Sequence, residues 1–434
     1  MIASAGYFWL AIRYGGAMLV NFLGGVILLR LLTPEEWGQF AVPLLLYVSS
    51  SDLATRGFAT WLVREPEEWD LESLFALQHA MAVALALLLF ALSPGEMDLR
   101  LSAAAAVYFL SWRAVPIALL ERDLAFHRVM LVELLETVLF SVVSIAGAWA
   151  GETRLGVLAA LVLRGALPSV LAFVLCPVPV SLQFRRATWR RVRGFAFANI
   201  GNSVLSVLSG SIASLVGARF TTPVHLAYVE LAFRLYRQAL FLTAAIPRLG
   251  LPLYGRQRLV DPDLLPITLT HLEQLTRLTG YPLALFAGWS PLWLSLLFGE
   301  AWTPASWAIV LALPGFLLAS CCWGIISSAM IAAHRHRAVF GWKLAFTLLY
   351  AAATPFLGVA GSWSLANVVL FPWLLQLWFA RIPPAFALRL LACWVAGGGV
   401  YELVHRGWYP AALGSSIVIG FVWFWRPEIW RKAY

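Results

Sequence analysis

Six arginines stand inside long apolar runs of this chain: Arg13, Arg56, Arg113, Arg164, Arg234 and Arg237. A charge at the centre of a bilayer costs about 2.5–3.5 kcal/mol on insertion scales, so such a residue faces a water-filled cavity or a partner. Arginine suits an anion there. Its planar fork meets a phosphate through paired hydrogen bonds, and it keeps its proton in a low-dielectric site. Lysine occurs only as Lys343 and Lys432, neither in the core of a span. These residues point to recognition of an anionic group within the membrane.

Helical spacing gathers the embedded polar residues into stripes. Arg13 and Asn21 share a face of the first apolar run, and Ser49, Asp52 and Arg56 share one in the second. The seventh run carries Asn199, Asn202, Ser206 and Ser209, and the eighth carries Glu230, Arg234 and Arg237. The candidate substrate-binding residues are therefore Arg13, Arg56, Arg234, Arg237, Asn21, Asn199 and Asn202, with Asp52 and Glu230 as candidates for ion coupling. A plainer reading stands beside this one. Asp52–Arg56 and Glu230–Arg234 are one-turn pairs that would neutralise each other, Arg13 can snorkel, and the asparagines can serve as interhelical glue. Arg237 resists it, because its acidic neighbour already has Arg234. Arg113 and Arg164 are best read as structural, balanced by Glu133 and Glu136. His79 is open between packing and proton handling.

No catalytic motif is present: HExxH, a P-loop and GxSxG are all missing. Cys176, Cys321, Cys322 and Cys393 form no CxxC pair, and no histidine stands at ligand spacing; His334 and His336 read as solvated. No catalytic residue, metal or cofactor is expected.

The elements that must position these residues are membrane helices. The chain is 61% hydrophobic and only 12% charged, with mean hydropathy +0.80. Apolar runs long enough to cross ~30 Å of hydrocarbon recur throughout, too continuous for the alternating strands of a barrel. About fourteen spans are predicted, near 7–30, 37–60, 73–93, 99–120, 129–150, 155–175, 195–218, 224–247, 272–298, 305–332, 338–358, 362–380, 385–404 and 408–425. The fold class is thus an all-α polytopic membrane protein. Met1 to Tyr7 lack the features of a removable signal peptide, so the first span serves as the insertion signal.

A net charge of +9 would suggest nucleic acid in a soluble protein. Here the basic residues gather in alternate short connectors, which is a topological signal, and no nucleic-acid partner is expected. The richest connector, Gln183 to Arg193, falls on the same side as both termini, and the positive-inside rule makes that side cytoplasmic. The spacing R-x-x-T-P also repeats, at Arg30–Pro34 before the second span and Arg219–Pro223 before the eighth. The expected organisation is two pseudo-symmetric six-helix lobes, 1–180 and 194–382, joined by a basic cytoplasmic linker at 181–193. Two extra helices and a short tail occupy 383–434. A transporter built from repeats keeps its site near the midplane between them.

Three stretches, in order along the chain, carry a family resemblance. Leu28-Leu29-Arg30-Leu31-Leu32-Thr33-Pro34-Glu35-Glu36-Trp37-Gly38 resembles the first outer loop of Wzx-type oligosaccharide flippases of the MOP superfamily. Arg122-Asp123-Leu124-Ala125-Phe126-His127-Arg128 resembles their connector before the fifth helix. Leu297-Phe298-Gly299-Glu300-Ala301-Trp302-Thr303-Pro304-Ala305 resembles the outer loop before the tenth. The resemblance implies alternating access that moves an undecaprenyl-diphosphate-linked glycan from the cytoplasmic to the periplasmic face of a bacterial inner membrane. Its implied partners are that glycan, membrane lipids, and a glycan polymerase with other polysaccharide-assembly proteins. In related flippases arginines on the first, second and eighth helices line the cavity, the positions of Arg13, Arg56, Arg234 and Arg237. Ser211-Ile212-Ala213-Ser214 lacks the acidic residue often found in the seventh helix of the family.

Other readings compete. A lipid II flippase shares the helix plan. A multidrug exporter needs buried carboxylates for cations, whereas Asp52 and Glu230 each have an arginine one turn away. A glycan polymerase or ligase presents a long periplasmic loop, and every outer connector here is short. Orientation is directly testable: a cytoplasm-active reporter fused after Arg193 and a periplasm-active one fused after Trp302 are both expected to be active. Silence of either overturns the topology.

Overall fold

The computed structural model describes residues 2–56, 70–93, 96–123, 125–181, 183–190, 193, 204–205, 208–209, 212, 214–239, 254, 263–319, 321, 325–333, 335–378 and 384–425. Every regular element among them is helical. The chain divides into two compact units, Met1–Ser211 and Ile212–Tyr434.

The first unit holds α1 (Ile2–Leu31), α2 (Pro34–Arg56), α3 (Leu71–Leu92), α4 (Met97–Trp112), α5 (Ala114–Arg122), α6 (Phe126–Trp149) and α7 (Thr153–Leu175). Helix α6 packs on α1 and α7, while α4 packs on α7, α2 and α3. Hydrocarbon gives apolar helices no reason to associate, so close approach through small residues supplies the contact. A Cβ on Gly165 would sit 2.3 Å from the Ala106 carbonyl oxygen, and one on Gly24 would sit 2.5 Å from Ser141 Oγ. Ser169 Oγ donates across the same α7–α4 seam to Phe109 O at 2.7 Å.

The second unit contains α8 (Pro223–Ala239), α9 (Leu265–Gly288), α10 (Ser290–Phe298), a 3-10 turn (Glu300–Ala305), α11 (Ser306–Ala319), α12 (Ser327–Ala332), α13 (His336–Trp378), α14 (Pro384–His405) and α15 (Tyr409–Trp425). The last two helices belong to this unit. α14 lies against α9, where a Cβ on Gly288 would meet Val400 at 2.6 Å, and Trp289 Nε1 donates to Ser416 Oγ on α15 at 3.1 Å.

Two predicted spans are bent, and one long helix is in fact two. The fourth separates into α4 and α5 at Arg113, because Pro116 has no N–H for the Trp112 carbonyl and its ring crowds that oxygen. The ninth bends by 68° between α9 and α10, next to Pro291. Helix α13 is two helices. Trp342 Nε1 donates to Leu370 O at 3.1 Å, whereas a straight helix would part residues 28 positions apart by about 42 Å. The limbs therefore fold back on each other, and the turn comes at Gly358, whose φ of 66° is left-handed backbone. Two of the predicted spans, 338–358 and 362–380, are these limbs.

Among the described residues, six helical stretches are long and apolar enough to cross a membrane when α4–α5 and the two limbs of α13 are each taken as one, and the α9–α10 pair makes a seventh. The protein is a multi-pass membrane protein. Most of the predicted seventh span lies outside the described residues.

The two R-x-x-T-P copies build the same local structure. Thr33 caps α2, with Glu36 N–H donating to its Oγ1 at 3.3 Å and Glu36 Oε2 accepting from Thr33 N–H at 2.8 Å. Thr222 precedes α8 in the same way, with His225 N–H donating to its Oγ1 at 3.4 Å. Pro34 and Pro223 open their helices, where the missing N–H has no cost.

The close seams make one packing prediction. Gly165→Val should drive a side chain into the Ala106 carbonyl and cost about 1–3 kcal/mol. A lower thermal midpoint of the purified protein is expected, while Gly341→Ala, with open space around its Cβ, should leave it unchanged.

Candidate functional site

Helix α8 is strongly two-faced. Leu226, Ala227, Val229, Leu231, Ala232, Phe233, Leu235 and Tyr236 are buried, and the helix packs on α11. Tyr236 donates to Ile309 O at 2.7 Å and stacks on Phe316 at 4.6 Å between centroids. Glu230, Arg234 and Arg237 fall on the other side at helical spacing. Arg237 is 45% exposed, and its Nη2 stands 4.0 Å from Glu230 Oε1.

Sequence spacing pairs Glu230 with Arg234 one turn away and leaves Arg237 alone; the structure brings Arg237 to Glu230 as well, across two turns. Long side chains lying along a helix reach that far. Arg234 is half-buried on the same face and lies within electrostatic range of Arg237. With two cations and one carboxylate, the face carries net positive charge. Tyr350, also within range of Arg237, is fully buried with its hydroxyl unpartnered. Nothing in its sequence position marked it out.

A second charged cluster lies within the first unit. Glu136 of α6 accepts from Arg113 Nη2 at 2.5 Å, from Arg164 Nη2 at 3.0 Å and from the Tyr47 hydroxyl at 3.0 Å. The Arg164 guanidinium also lies over the rings of Tyr47 and Phe140, at 4.4 and 4.8 Å. The break at Arg113 places that residue between α4 and α5, so the cluster ties α2, α4–α5, α6 and α7 together. Sequence reasoning expected these arginines to be balanced by Glu133 and Glu136. The structure delivers both to Glu136, with Glu133 near enough to act on Arg113 through its charge. Tyr47 was missed; a tyrosine in an apolar helix needs a partner for its hydroxyl, and that was the available signal.

Other candidates fall differently. Arg13, Asp52 and Arg56 occupy α1 and α2 by backbone, but their side chains lie outside the described residues. Asn21 is half-buried on α1, and Asn199 and Asn202 lie outside the described residues. His79 sits in an aromatic nest with Phe75, Tyr108 and Trp112, its Nε2 3.2 Å from the Tyr108 hydroxyl. The tryptophans of the two outer-loop motifs, Trp37 and Trp302, are buried. They hold the loops down. Trp302 does so beside Tyr228 of α8, after a turn at Gly299 whose φ is 95°.

Removing one member of a buried ion pair costs about 3–5 kcal/mol, while replacing the whole set by apolar groups is often neutral. Glu136→Gln is therefore expected to lower the thermal midpoint sharply. The triple change Glu136→Leu, Arg113→Met, Arg164→Met should recover most of the loss. A triple variant as unstable as the single one would contradict a purely structural role.

The comparisons with known proteins agree with this architecture. The profile of a family described as polysaccharide biosynthesis protein matches residues 27–307, well over half of the chain. No curated protein matches it by sequence. Among solved structures, it is similar to the lipid II flippase MurJ in an inward closed conformation, at TM-score 0.72 and 14% identity, covering 96% of this chain and 99% of that one. It is also similar to an inward-facing multidrug resistance MATE family transporter of the MOP superfamily, at TM-score 0.64 and 13% identity, covering 84% and 95%. At such identities the likeness is one of fold. The chain thus has the fold of MOP-superfamily transporters and belongs to the polysaccharide biosynthesis protein family.

Proposed function

We propose that the protein is a flippase, a transporter rather than an enzyme, that moves an undecaprenyl-diphosphate-linked oligosaccharide from the cytoplasmic to the periplasmic face by alternating access. The observation that carries this reading is the open face of α8. An arginine 45% exposed on a membrane helix faces lipid or a cavity, and lipid is the costly choice. A net-positive face in a cavity suits a diphosphate, the anion that links a glycan to its polyprenyl carrier. Membership of a polysaccharide biosynthesis family supplies the substrate class.

In this reading Arg13, Arg56, Arg234, Arg237, Asn21, Asn199 and Asn202 line the cavity, and Asp52 and Glu230 serve ion coupling. The six-helix lobes are 1–180 and 194–382, joined by the cytoplasmic linker 181–193, with the two added helices in 383–434. About fourteen spans put both termini in the cytoplasm of a bacterial inner membrane. A glycan polymerase is the expected neighbour in assembly.

Lipid II is the second reading, favoured by fold likeness over nearly the full length of both chains. Both substrates present the same diphosphate, so the sugar separates them. A deletion strain should accumulate a lipid-linked polysaccharide repeat unit on the cytoplasmic face; accumulation of lipid II would select the alternative.

Arg234→Ala and Arg237→Ala each remove a charge-assisted contact worth about 1.5–3 kcal/mol, roughly 10- to 150-fold in affinity. Loss of glycan export at near-normal protein level is expected for both. Normal export by Arg237→Ala would remove α8 from the site.

A further inference from the structure

Between Gln183 and Arg193 the chain has five arginines and no acidic residue. This stretch is fastened to the first unit. The Arg185 backbone N–H donates to Ser73 Oγ at 3.0 Å, and Thr188 Oγ1 donates to Asp70 Oδ2 at 2.9 Å. Asp70 is also the cap of α3, accepting from the Ser73 N–H at 3.2 Å and its hydroxyl at 2.6 Å, with the Arg185 guanidinium 3.6 Å away. Burial alone would raise the Asp70 carboxyl. The bonds from Ser73 and Thr188 and the charge of Arg185 outweigh that and hold it below the usual carboxylate range. Asp70 is thus ionised at neutral pH, and the latch is made. Trp189 adds an apolar anchor, packing on the cluster of Leu74, Phe75, Val115 and Leu119.

The latch sets the height of the segment. Leu71 opens the membrane-crossing stretch of α3, so a chain bonded to the cap before it lies at headgroup level. The same end of the unit holds the last carbonyls of α7, where Arg128 Nη1 donates to Leu175 O at 3.3 Å. Thr188 is buried and Trp189 half-buried, while Arg185, Arg186, Arg190 and Arg193 are exposed, with Phe184 exposed beside them. Of the acidic groups at this end, Asp70 is held in the latch and Asp123 stands 3.7 Å from Arg122.

Arginines at headgroup height, next to an exposed aromatic ring, fit a surface that is anionic on its face and apolar beneath. We propose that residues 183–190 together with Arg193 form a docking surface for anionic phospholipid headgroups, latched to the first unit through Asp70, Ser73 and Trp189 and presenting Arg185, Arg186, Arg190 and Arg193 to the lipid phosphates. A free phosphate would meet the same guanidinium forks but gains nothing from Phe184. The surface is independent of which substrate is transported.

The test is native mass spectrometry of the full-length protein with equimolar phosphatidylglycerol and phosphatidylcholine. Preferential phosphatidylglycerol adducts are expected. Each arginine lost from such a surface should weaken binding about fivefold. Changing Arg185, Arg186, Arg190 and Arg193 together to Gln should therefore lower the preference at least about fivefold. Lys at the same four positions should retain it, and Arg30→Gln with Arg219→Gln should not affect it. Excess inorganic phosphate should leave the adducts in place. If the fourfold Gln variant fails to insert, Arg186→Gln and Arg190→Gln singly carry the test, each with a loss of about fivefold. No preference in the native protein, a preference that survives the Gln changes, or displacement by phosphate alone overturns the proposal.

Discussion

A charge placed in hydrocarbon has to be answered by the protein, and that constraint organises this molecule. Glu136 shows the answer in its closed form: one carboxylate shared by two guanidiniums and a phenol, drawn from separate helices. Each partner is costly alone. Together they make the relative placement of α2, α4–α5, α6 and α7 a condition of their own solvation. The backbone break before Pro116 belongs to the same solution, because it is at Arg113 that the fourth span departs from a continuous helix.

Helix α8 gives the open form. Its apolar face is sealed by Phe233, Tyr236 and the aromatic rings of α11 and α13, while Glu230, Arg234 and Arg237 are left on the other side. The same residue types thus take different roles according to burial. A guanidinium locked on a carboxylate and stacked on two rings holds helices together, whereas one nearly half exposed is not closed in by its neighbours. Exposure and partner count distinguish the two; sequence position does not.

Around these charges the structure relies on close backbone approach and stiff turns. Gly165 on Ala106 and Gly288 on Val400 bring helices within reach where apolar solvent gives no drive to pack. The turns before α2, α8 and α11 are set by threonine caps, opening prolines and the left-handed backbone of Gly299, with Trp37 and Trp302 buried beneath them. Both units therefore present polar helices, α2 and α8, that begin from the same kind of capped turn.

The sequence by itself determined the class of the fold, because the length and hydropathy of a run decide whether it can cross a bilayer without help from other segments. The capped starts of α2 and α8 were legible for the same reason: T-P-x-x chemistry acts within one turn. It also identified Arg113 and Arg164 as structural and Glu230, Arg234 and Arg237 as one stripe, since helical periodicity is local. Glu136 was legible as a counter-charge for both arginines, but the remaining partners were not. Tyr47 meets Glu136 across 89 positions, and Thr188 meets Asp70 across 118. Hydrogen bonds over such separations depend on which helices become neighbours, and hydropathy is nearly blind to that in a chain where most helices are apolar. The tertiary structure alone decided that Arg237 turns to Glu230, that α13 doubles back at Gly358, and that the arginine-rich linker is bound to the end of α3. Each is a matter of side-chain reach and backbone direction, settled only when the helices pack.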